Sequence, residues 1–158
     1  MKNLVVYYSR TGHTEIVAKE IAKIVKGDIK RIELKKKISI FWAGFNALTK
    51  KDGKIKPIDF YLEDYDNIFI GSPVWAGKTS TPINAFLSRS NFTGKNVYVF
   101  LTQTNKEAHD FVYESVSSRV KAKGGKVIDT FFIKTVEEIP LTPDQVRKPV
   151  EEWIKRII

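Results

Sequence analysis

The sequence predicts an α/β fold of the doubly wound class, in which a parallel sheet carries helices on both faces. Five short apolar runs recur along the chain, and patterns with helical spacing separate them. Near-continuous apolar runs are typical of parallel strands covered on both faces, and strict alternation implies right-handed crossover connections. A length of 158 residues fits a single domain spanning residues 1–158. The predicted strands are Leu4–Tyr8, a weaker edge strand from Ile29 to Leu34, Ile68–Gly71, Val97–Leu101 and Val127–Ile133.

Four helices follow from apolar spacing and from capping signals. The last begins with a capping box at Thr142–Gln145, and Pro149 inside it predicts a local kink or break. Ser80-Thr81-Pro82 predicts a helix start with a hydroxyl cap and proline at the first position. The other two patterns cover residues 16–25 and 108–120, the latter ended by Gly124-Gly125.

The segment between the second and third strands is less regular. Apolar side chains at helical spacing predict an amphipathic helix that packs on the sheet, followed by a basic loop over Lys50–Lys56. The apolar positions of this helix are Ile38, Phe41, Trp42, Phe45 and Leu48.

Composition excludes several classes of protein. The chain has no cysteine and only two histidines, so disulfides, cysteine nucleophiles and a structural zinc site are not expected. No apolar stretch approaches the roughly 18 residues of a membrane span, and no signal-peptide pattern precedes the first strand. We therefore expect a cytoplasmic protein without a membrane span.

The net charge of +9 is concentrated in one part of the chain. Residues 23–56 hold eleven Lys or Arg and only three acids, which accounts for +8 of the total. This segment is either a solvated face or a surface for docking a partner, and the sequence leaves both interpretations open. Nucleic-acid binding is not expected, because no element that could read a groove is recognisable.

The turn after the first strand is the strongest functional signal. It offers hydroxyl groups, a glycine for tight backbone geometry and the unpaired N–H groups of a helix start, which together favour a phosphate group. The candidate phosphate ligands are Ser9, Arg10, Thr11, Gly12, His13 and Thr14.

Two further loops should meet this turn, because ligands of open parallel sheets bind at the carboxyl ends of the strands. The loop after the third strand combines a rigid proline and a tryptophan with small residues, which suits a flat ring. The loop after the fourth strand is polar and could present amides to ring heteroatoms. The candidate residues are Ser72, Pro73, Val74, Trp75, Ala76 and Gly77 in the former, and Thr102, Gln103, Thr104 and Asn105 in the latter.

These motifs resemble the flavodoxin family. S-R-T-G-H-T follows the first strand and G-S-P-V-W-A-G-K follows the third, and the resemblance extends over the whole chain in element order. It implies a five-stranded sheet of order 2-1-3-4-5 and an FMN cofactor. It also implies that Ser9 to Thr14 hold the FMN phosphate, that Trp75 lies beside the isoalloxazine and that Thr102 to Asn105 border its pyrimidine side. No catalytic residue and no metal ligand is assigned.

The chain departs from the family at several points. His13 stands where asparagine is commoner in the family. The loop after the fourth strand, from Thr102 to Asn105, lacks the tyrosine that many flavodoxins stack on the flavin. Either the flavin is more exposed here, or an aromatic residue such as Trp42 covers it. The basic charge is also unusual for the family.

Two functions remain open. The first, which we favour, is a low-molecular-weight electron carrier between redox partner proteins, with acidic partners among the candidates. The second is an FMN-dependent NAD(P)H oxidoreductase that uses a quinone or similar acceptor. A third, weaker possibility is a flavin-free interaction module. The oligomeric state is open.

Overall fold

The computed structural model describes residues 1–35, 54–104, 109–136 and 139–158. Four of the sequence-based predictions lie wholly or partly outside these ranges: the helix over residues 38–48, Trp42 as a ring cover, the part of the basic loop before Lys54, and Asn105 as a cofactor contact.

The sheet has the predicted topology with one addition. Its parallel strands are ordered β2-β1-β3-β5-β6, and β4 pairs with β3 in an antiparallel hairpin. With β4 set aside, the order of the five parallel strands is the predicted 2-1-3-4-5, so the fold prediction is confirmed. The strands are β1 (Asn3–Tyr7), β2 (Asp28–Arg31), β3 (Asn67–Trp75), β4 (Lys78–Thr79), β5 (Asn96–Gln103) and β6 (Lys126–Lys134).

Four helices lie within the described ranges, three between strands and one after β6: α1 (His13–Val25), α2 (Thr81–Arg89), α3 (His109–Ala122) and α4 (Pro143–Ile157). The capping box of Thr142 and Gln145 is present, and α4 continues through Pro149 without a break. Ser80 is the N-cap residue of α2, but its side chain makes no capping bond and Pro82 occupies the second helical position. The Ser80 hydroxyl lies 3.0 Å from the hydroxyl of Ser72 instead. None of the helices in these ranges is long and apolar enough to cross a bilayer.

Two apolar layers enclose the sheet. Alternate residues of β1 point to opposite faces, with Leu4 and Val6 in one cluster and Val5 and Tyr7 in the other. The first cluster includes buried side chains of α2 and α3, and the second includes those of α1 and α4. Because both faces are covered, polar side chains can meet a ligand at the carboxyl edge of the sheet.

The centre of the sheet is packed tightly around Gly71. A Cβ atom on this residue would lie 2.2 Å from the ring of Phe100 on the neighbouring strand. The carbonyl of Gly71 accepts a hydrogen bond from the amide of Tyr8 at 3.1 Å. Glycine is therefore required here by the close approach of an aromatic ring.

The segment from Ser72 to Lys78, predicted as a loop, is largely a strand and a hairpin. Strand β3 continues to Trp75, and Trp75 pairs with Lys78 across a two-residue turn. Ala76 and Gly77 both have positive φ, at 47° and 70°. Two positive values at the central positions are typical of a type I′ turn, whose twist matches that of the flanking strands.

Candidate functional site

The turn between β1 and α1 has the geometry of an anion cradle. Gly12 is the N-cap residue of α1 with a φ of 95°, a left-handed conformation that glycine adopts without strain. Its amide donates to the hydroxyl of Ser9 at 3.1 Å, and its carbonyl accepts from the amide of Ile16 at 3.1 Å. The first amides of a helix have no intrahelical acceptor, and the helix dipole favours negative charge beside them. A phosphate could therefore accept hydrogen bonds at this turn.

Thr14 and Thr102 face each other across the site. Their hydroxyl oxygens lie 2.7 Å apart, and both residues are almost fully buried. The sequence predicts each of them as a separate cofactor contact. In the structure each is first a partner of the other, and their hydrogen bond ties the start of α1 to the end of β5.

His13 is also held by a distant part of the chain. The amide of Leu141, in the connection before α4, donates to Nδ1 of His13 at 3.4 Å. This bond occupies Nδ1 and leaves Nε2 as the ring nitrogen that is open to a further hydrogen bond. The ring is buried, and His13 lines a cleft at the edge of the sheet. Its Nε2 can therefore form a hydrogen bond with a ligand.

Trp75 forms one wall of the same cleft. Its ring packs edge-on against the ring of Tyr8, with centroids 5.4 Å apart and an interplanar angle of 88°. The ring stands just before the hairpin turn, in which Ala76 is left-handed without being glycine. A left-handed conformation costs a residue with a Cβ atom about 1–2 kcal/mol. The hairpin that carries Trp75 therefore has a strained tip and a ring held by packing.

Ser72 lies beneath this hairpin and not in the cleft. It is only 1% exposed. Its hydroxyl donates to the carbonyl of Pro73 at 2.8 Å and accepts from the amide of Ser80 at 3.1 Å. These bonds brace the base of the hairpin against the start of α2. The structure gives Ser72 a supporting position, and its predicted contact with a cofactor stays a prediction.

Gln103 is the most unusual side chain of the site. It is 4% exposed, and neither atom of its amide has a hydrogen-bond partner within the described residues. A buried amide without a partner costs about 1–3 kcal/mol. A ligand that supplies both a donor and an acceptor would satisfy this amide.

The three predicted loops converge on one cleft, which we call the strand-end cleft. It encloses about 130 Å³. This is less than the roughly 300–1,000 Å³ of pockets that enclose a ligand, so the described residues form a wall and not a closed chamber. The lining residues are Arg10, Thr11, His13, Pro73, Val74, Trp75, Thr102, Gln103, Thr104 and Thr135.

Most of the predicted residues that the structure describes are part of this wall. Those that do not line it are Ser9, Gly12, Thr14, Ser72, Ala76 and Gly77, which shape or support it instead. Thr135 is the one lining residue that the sequence analysis missed. It follows β6, and its amide donates to the carbonyl of Gln103 at 2.9 Å. Ligands of open parallel sheets bind at the carboxyl ends of the strands, which we call the strand-end rule. Applying this rule to the last strand, as to the other three, would have identified Thr135.

Comparison with known families decides the classification. The family model described as flavodoxin matches residues 2–137. The chain belongs to the flavodoxin family. This membership confirms the predicted family and bears out FMN as the expected cofactor.

Similar flavoproteins of known structure share the fold. A putative flavoprotein from Bacteroides uniformis is 25% identical, with a TM-score of 0.78 over 98% of this flavodoxin and 97% of that chain. A flavoprotein from Lactobacillus acidophilus, crystallised in complex with FMN, is 28% identical, with a TM-score of 0.70 over 83% of this chain and 92% of its own.

One curated relative is an enzyme. An NAD(P)H dehydrogenase (quinone) from Caulobacter vibrioides is 33% identical over 90 residues, which is 54% of this flavodoxin. The match spans only 44% of the length of that relative.

The residues present fit an FMN molecule. The turn at Gly12 offers amide donors in open space, because a Cβ atom there would have no neighbour within 4 Å. Gln103 offers an orphaned donor and an orphaned acceptor, and the pyrimidine edge of a flavin carries an imide with the complementary pair. Trp75 lines the same cleft and offers an aromatic surface for the flavin ring.

Proposed function

We propose that this flavodoxin is an FMN-dependent redox protein, and more specifically a low-molecular-weight electron carrier between redox partner proteins. The observation that carries the cofactor assignment is the buried amide of Gln103, which has no partner within the described residues and lines the strand-end cleft. The similar Lactobacillus acidophilus flavoprotein, crystallised with FMN, supports it.

The residues have distinct roles in this proposal. The turn from Ser9 to Thr14 holds the phosphate through backbone amides, with Nε2 of His13 as an additional hydrogen-bond donor. Trp75 positions one side of the flavin ring, while Gln103 pairs with its pyrimidine edge. FMN, when bound, accepts and donates electrons; the protein orients it and sets the electrostatic environment.

The choice of a carrier over an enzyme rests on the chemistry of the wall. Arg10 and His13 are the ionisable side chains among the described lining residues, and His13 is tied to Leu141. An electron carrier needs a flavin close to the surface and no separate proton donor for a substrate. The strand-end cleft, an open space of about 130 Å³, is consistent with that requirement.

An FMN-dependent NAD(P)H oxidoreductase is the second candidate. The sequence identity to the Caulobacter vibrioides NAD(P)H dehydrogenase (quinone) favours this function. The support is limited because the match covers less than half of the length of that relative. The proposal has three further parts: a single domain over residues 1–158, a cytoplasmic location and acidic redox partners.

Two measurements test the proposal. The first is an absorption titration of the apoprotein with FMN, with riboflavin as the control that lacks the phosphate. We expect a perturbed flavin spectrum with FMN and at least tenfold weaker binding of riboflavin, equivalent to about 1.4 kcal/mol or more. Equal binding of the two flavins would contradict a phosphate site at the turn.

The second measurement is anaerobic reduction of the FMN complex in steps. Two resolved one-electron steps, and no steady consumption of NAD(P)H in the presence of a quinone, support the carrier. Steady NAD(P)H turnover by the isolated protein would favour the enzyme.

A further inference from the structure

A second, larger cleft lies next to the phosphate turn, on the side of β2. It encloses about 530 Å³. One side is formed by the ends of β1 and β2, and another by a short ribbon in which Leu34 bridges Ile55. Two backbone hydrogen bonds close this ribbon: the amide of Lys35 donates to the carbonyl of Lys54 at 2.9 Å, and that of Lys56 to the carbonyl of Glu33 at 2.8 Å. We call this space the basic cleft.

The charge of the basic cleft is strongly positive. Four cationic side chains line it, namely Arg10, Arg31, Lys35 and Lys56, and Glu33 is the one carboxylate among the described lining residues. Glu33 forms an ion pair with Lys56. The hydrogen bond from Lys56 holds the pKa of the Glu33 carboxyl below its usual value, so this carboxylate is charged at neutral pH.

Arg31 and Lys35 are not neutralised by the carboxylate of the cleft itself. Arg31 donates to Glu15 at 2.8 Å, and Glu15 is not part of the lining. For the ammonium group of Lys35, no carboxylate partner occurs in the described part of the chain. The cleft therefore has more positive charge than its own carboxylate can balance.

The floor of the basic cleft connects it to the strand-end cleft. Tyr8 forms part of this floor, and its ring contacts Trp75 on the other side. Burial raises the pKa of the Tyr8 hydroxyl, and Arg10 and Arg31 oppose that effect. Arg10 lines both clefts. The two spaces are therefore neighbours that share the Arg10 side of their walls.

We propose that the basic cleft binds the phosphate group of a small phosphorylated molecule, at a site separate from that of the FMN phosphate. Guanidinium groups bind phosphate through paired hydrogen bonds, and ammonium groups bind it as point charges. A volume of about 530 Å³ lies in the range of small-molecule sites. This binding goes beyond the proposed electron transfer and does not depend on it, because none of the cleft's charge comes from a flavin.

The test is a titration of the ¹⁵N-labelled full chain by NMR, with and without one equivalent of FMN. The probes are 5′-AMP in one arm and inorganic phosphate in the other, at low ionic strength. We expect saturable shifts of the amides of Arg31, Lys35 and Lys56 both with and without bound FMN. Tighter binding of 5′-AMP would identify an organic phosphate as the ligand, and equal binding would identify the free anion.

Charge variants at neighbouring positions should change the affinity for the probes in opposite directions. Lys35→Gln should weaken binding and Glu33→Gln should strengthen it, each by about three- to fivefold, as expected for partly exposed charges. Lys30→Gln and Asp59→Asn are the matched controls. These two residues form an ion pair of 3.2 Å and do not line the cleft, and their neutralisation should change the affinity by less than twofold.

Three results would overturn the proposal. The first is the absence of saturable shifts at millimolar probe. The second is an equal loss of affinity in Lys35→Gln and Lys30→Gln, which would indicate non-specific attraction to a basic protein. The third is competition between FMN and the probes, which would make the basic cleft a part of the cofactor site. Failure to bind FMN would leave the titration without FMN intact, so the two proposals are tested separately.

Discussion

Replacing Gln103 by methionine should stabilise the apoprotein and weaken FMN binding. The amide of Gln103 is buried without a partner in the described residues, and this costs about 1–3 kcal/mol. Methionine has a similar length and adapts its shape to the space available, so Gln103→Met removes the unpaired amide without opening a cavity. We expect the free energy of unfolding of the apoprotein to rise by about 1–3 kcal/mol.

The effect on the FMN complex has the opposite sign. Two lost hydrogen bonds to the flavin should raise the Kd by about ten- to a hundredfold. A ligand present at a hundred times its Kd stabilises a protein by about 2.7 kcal/mol. At the same FMN concentration, a hundredfold weaker variant would gain only about 0.4 kcal/mol.

Urea unfolding with and without FMN measures both quantities in one experiment. Asn67→Leu is the matched control, because the amide of Asn67 is equally buried but donates to Asn3 at 2.9 Å. This control should destabilise the apoprotein. A loss of stability in apo Gln103→Met would show that its amide is paired within the protein. An unchanged increment from FMN would show that the amide does not face the flavin.

Three further predictions concern the fold around the site. Ala76→Gly should raise the free energy of unfolding by about 0.5–1 kcal/mol, because relief of left-handed strain exceeds the added freedom of the unfolded chain. Gly77→Ala should lower the free energy of unfolding by about 1–2 kcal/mol. If thermal unfolding showed both variants stabilised or both destabilised, the turn geometry would be contradicted. Gly71→Ala should lower the free energy of unfolding by about 1–3 kcal/mol through its clash with Phe100. In a double-mutant cycle, adding Phe100→Leu should recover part of that loss. Strictly additive effects would mean that the two residues are not in contact. Burial acts to raise the pKa of Asp129, but hydrogen bonds to its carboxylate outweigh burial and lower the pKa. The stability that Asp129 contributes is therefore present above its unfolded pKa of about 3.9 and lost as pH falls through the lower folded value. Asp129→Asn should cost about 1–2 kcal/mol in urea unfolding at pH 7 and much less near pH 2, and a pH-independent cost would refute this account.

The sequence was sufficient for the fold and for which strand ends meet at the cleft, because both follow from short-range patterns. Apolar runs and capping signals predict the strands and helices, and the strand-end rule then brings the loops after β1, β3 and β5 together. The continuation of β3 to Trp75 was missed because Pro73 and Gly77 both indicate a loop. Pro73 is tolerated near the end of β3, where it stands in register with Thr102 of β5.

What the sequence could not predict are the long-range partners of the site residues. Thr14 and Thr102 are 88 positions apart, and His13 and Leu141 are 128 apart, so no local pattern links them. The burial of Ser72 depends in the same way on the base of a hairpin that the sequence did not predict. Hydroxyl-rich turns therefore indicate where a site lies, but not which of its hydroxyls bind the protein and which remain for a ligand.

These long-range bonds also bear on how the site would bind FMN. The Thr14–Thr102 and His13–Leu141 hydrogen bonds and the ring contact of Tyr8 with Trp75 join protein groups to one another and do not need a ligand. A cofactor that enters such a site orders few side chains, so little of its interaction energy is lost to conformational entropy. The exception is Gln103, whose buried amide has no partner among the described residues and costs free energy unless a ligand pairs with it. Binding FMN would then relieve a cost already present in the apoprotein, and that coupling is why one substitution at residue 103 should move stability and affinity in opposite directions.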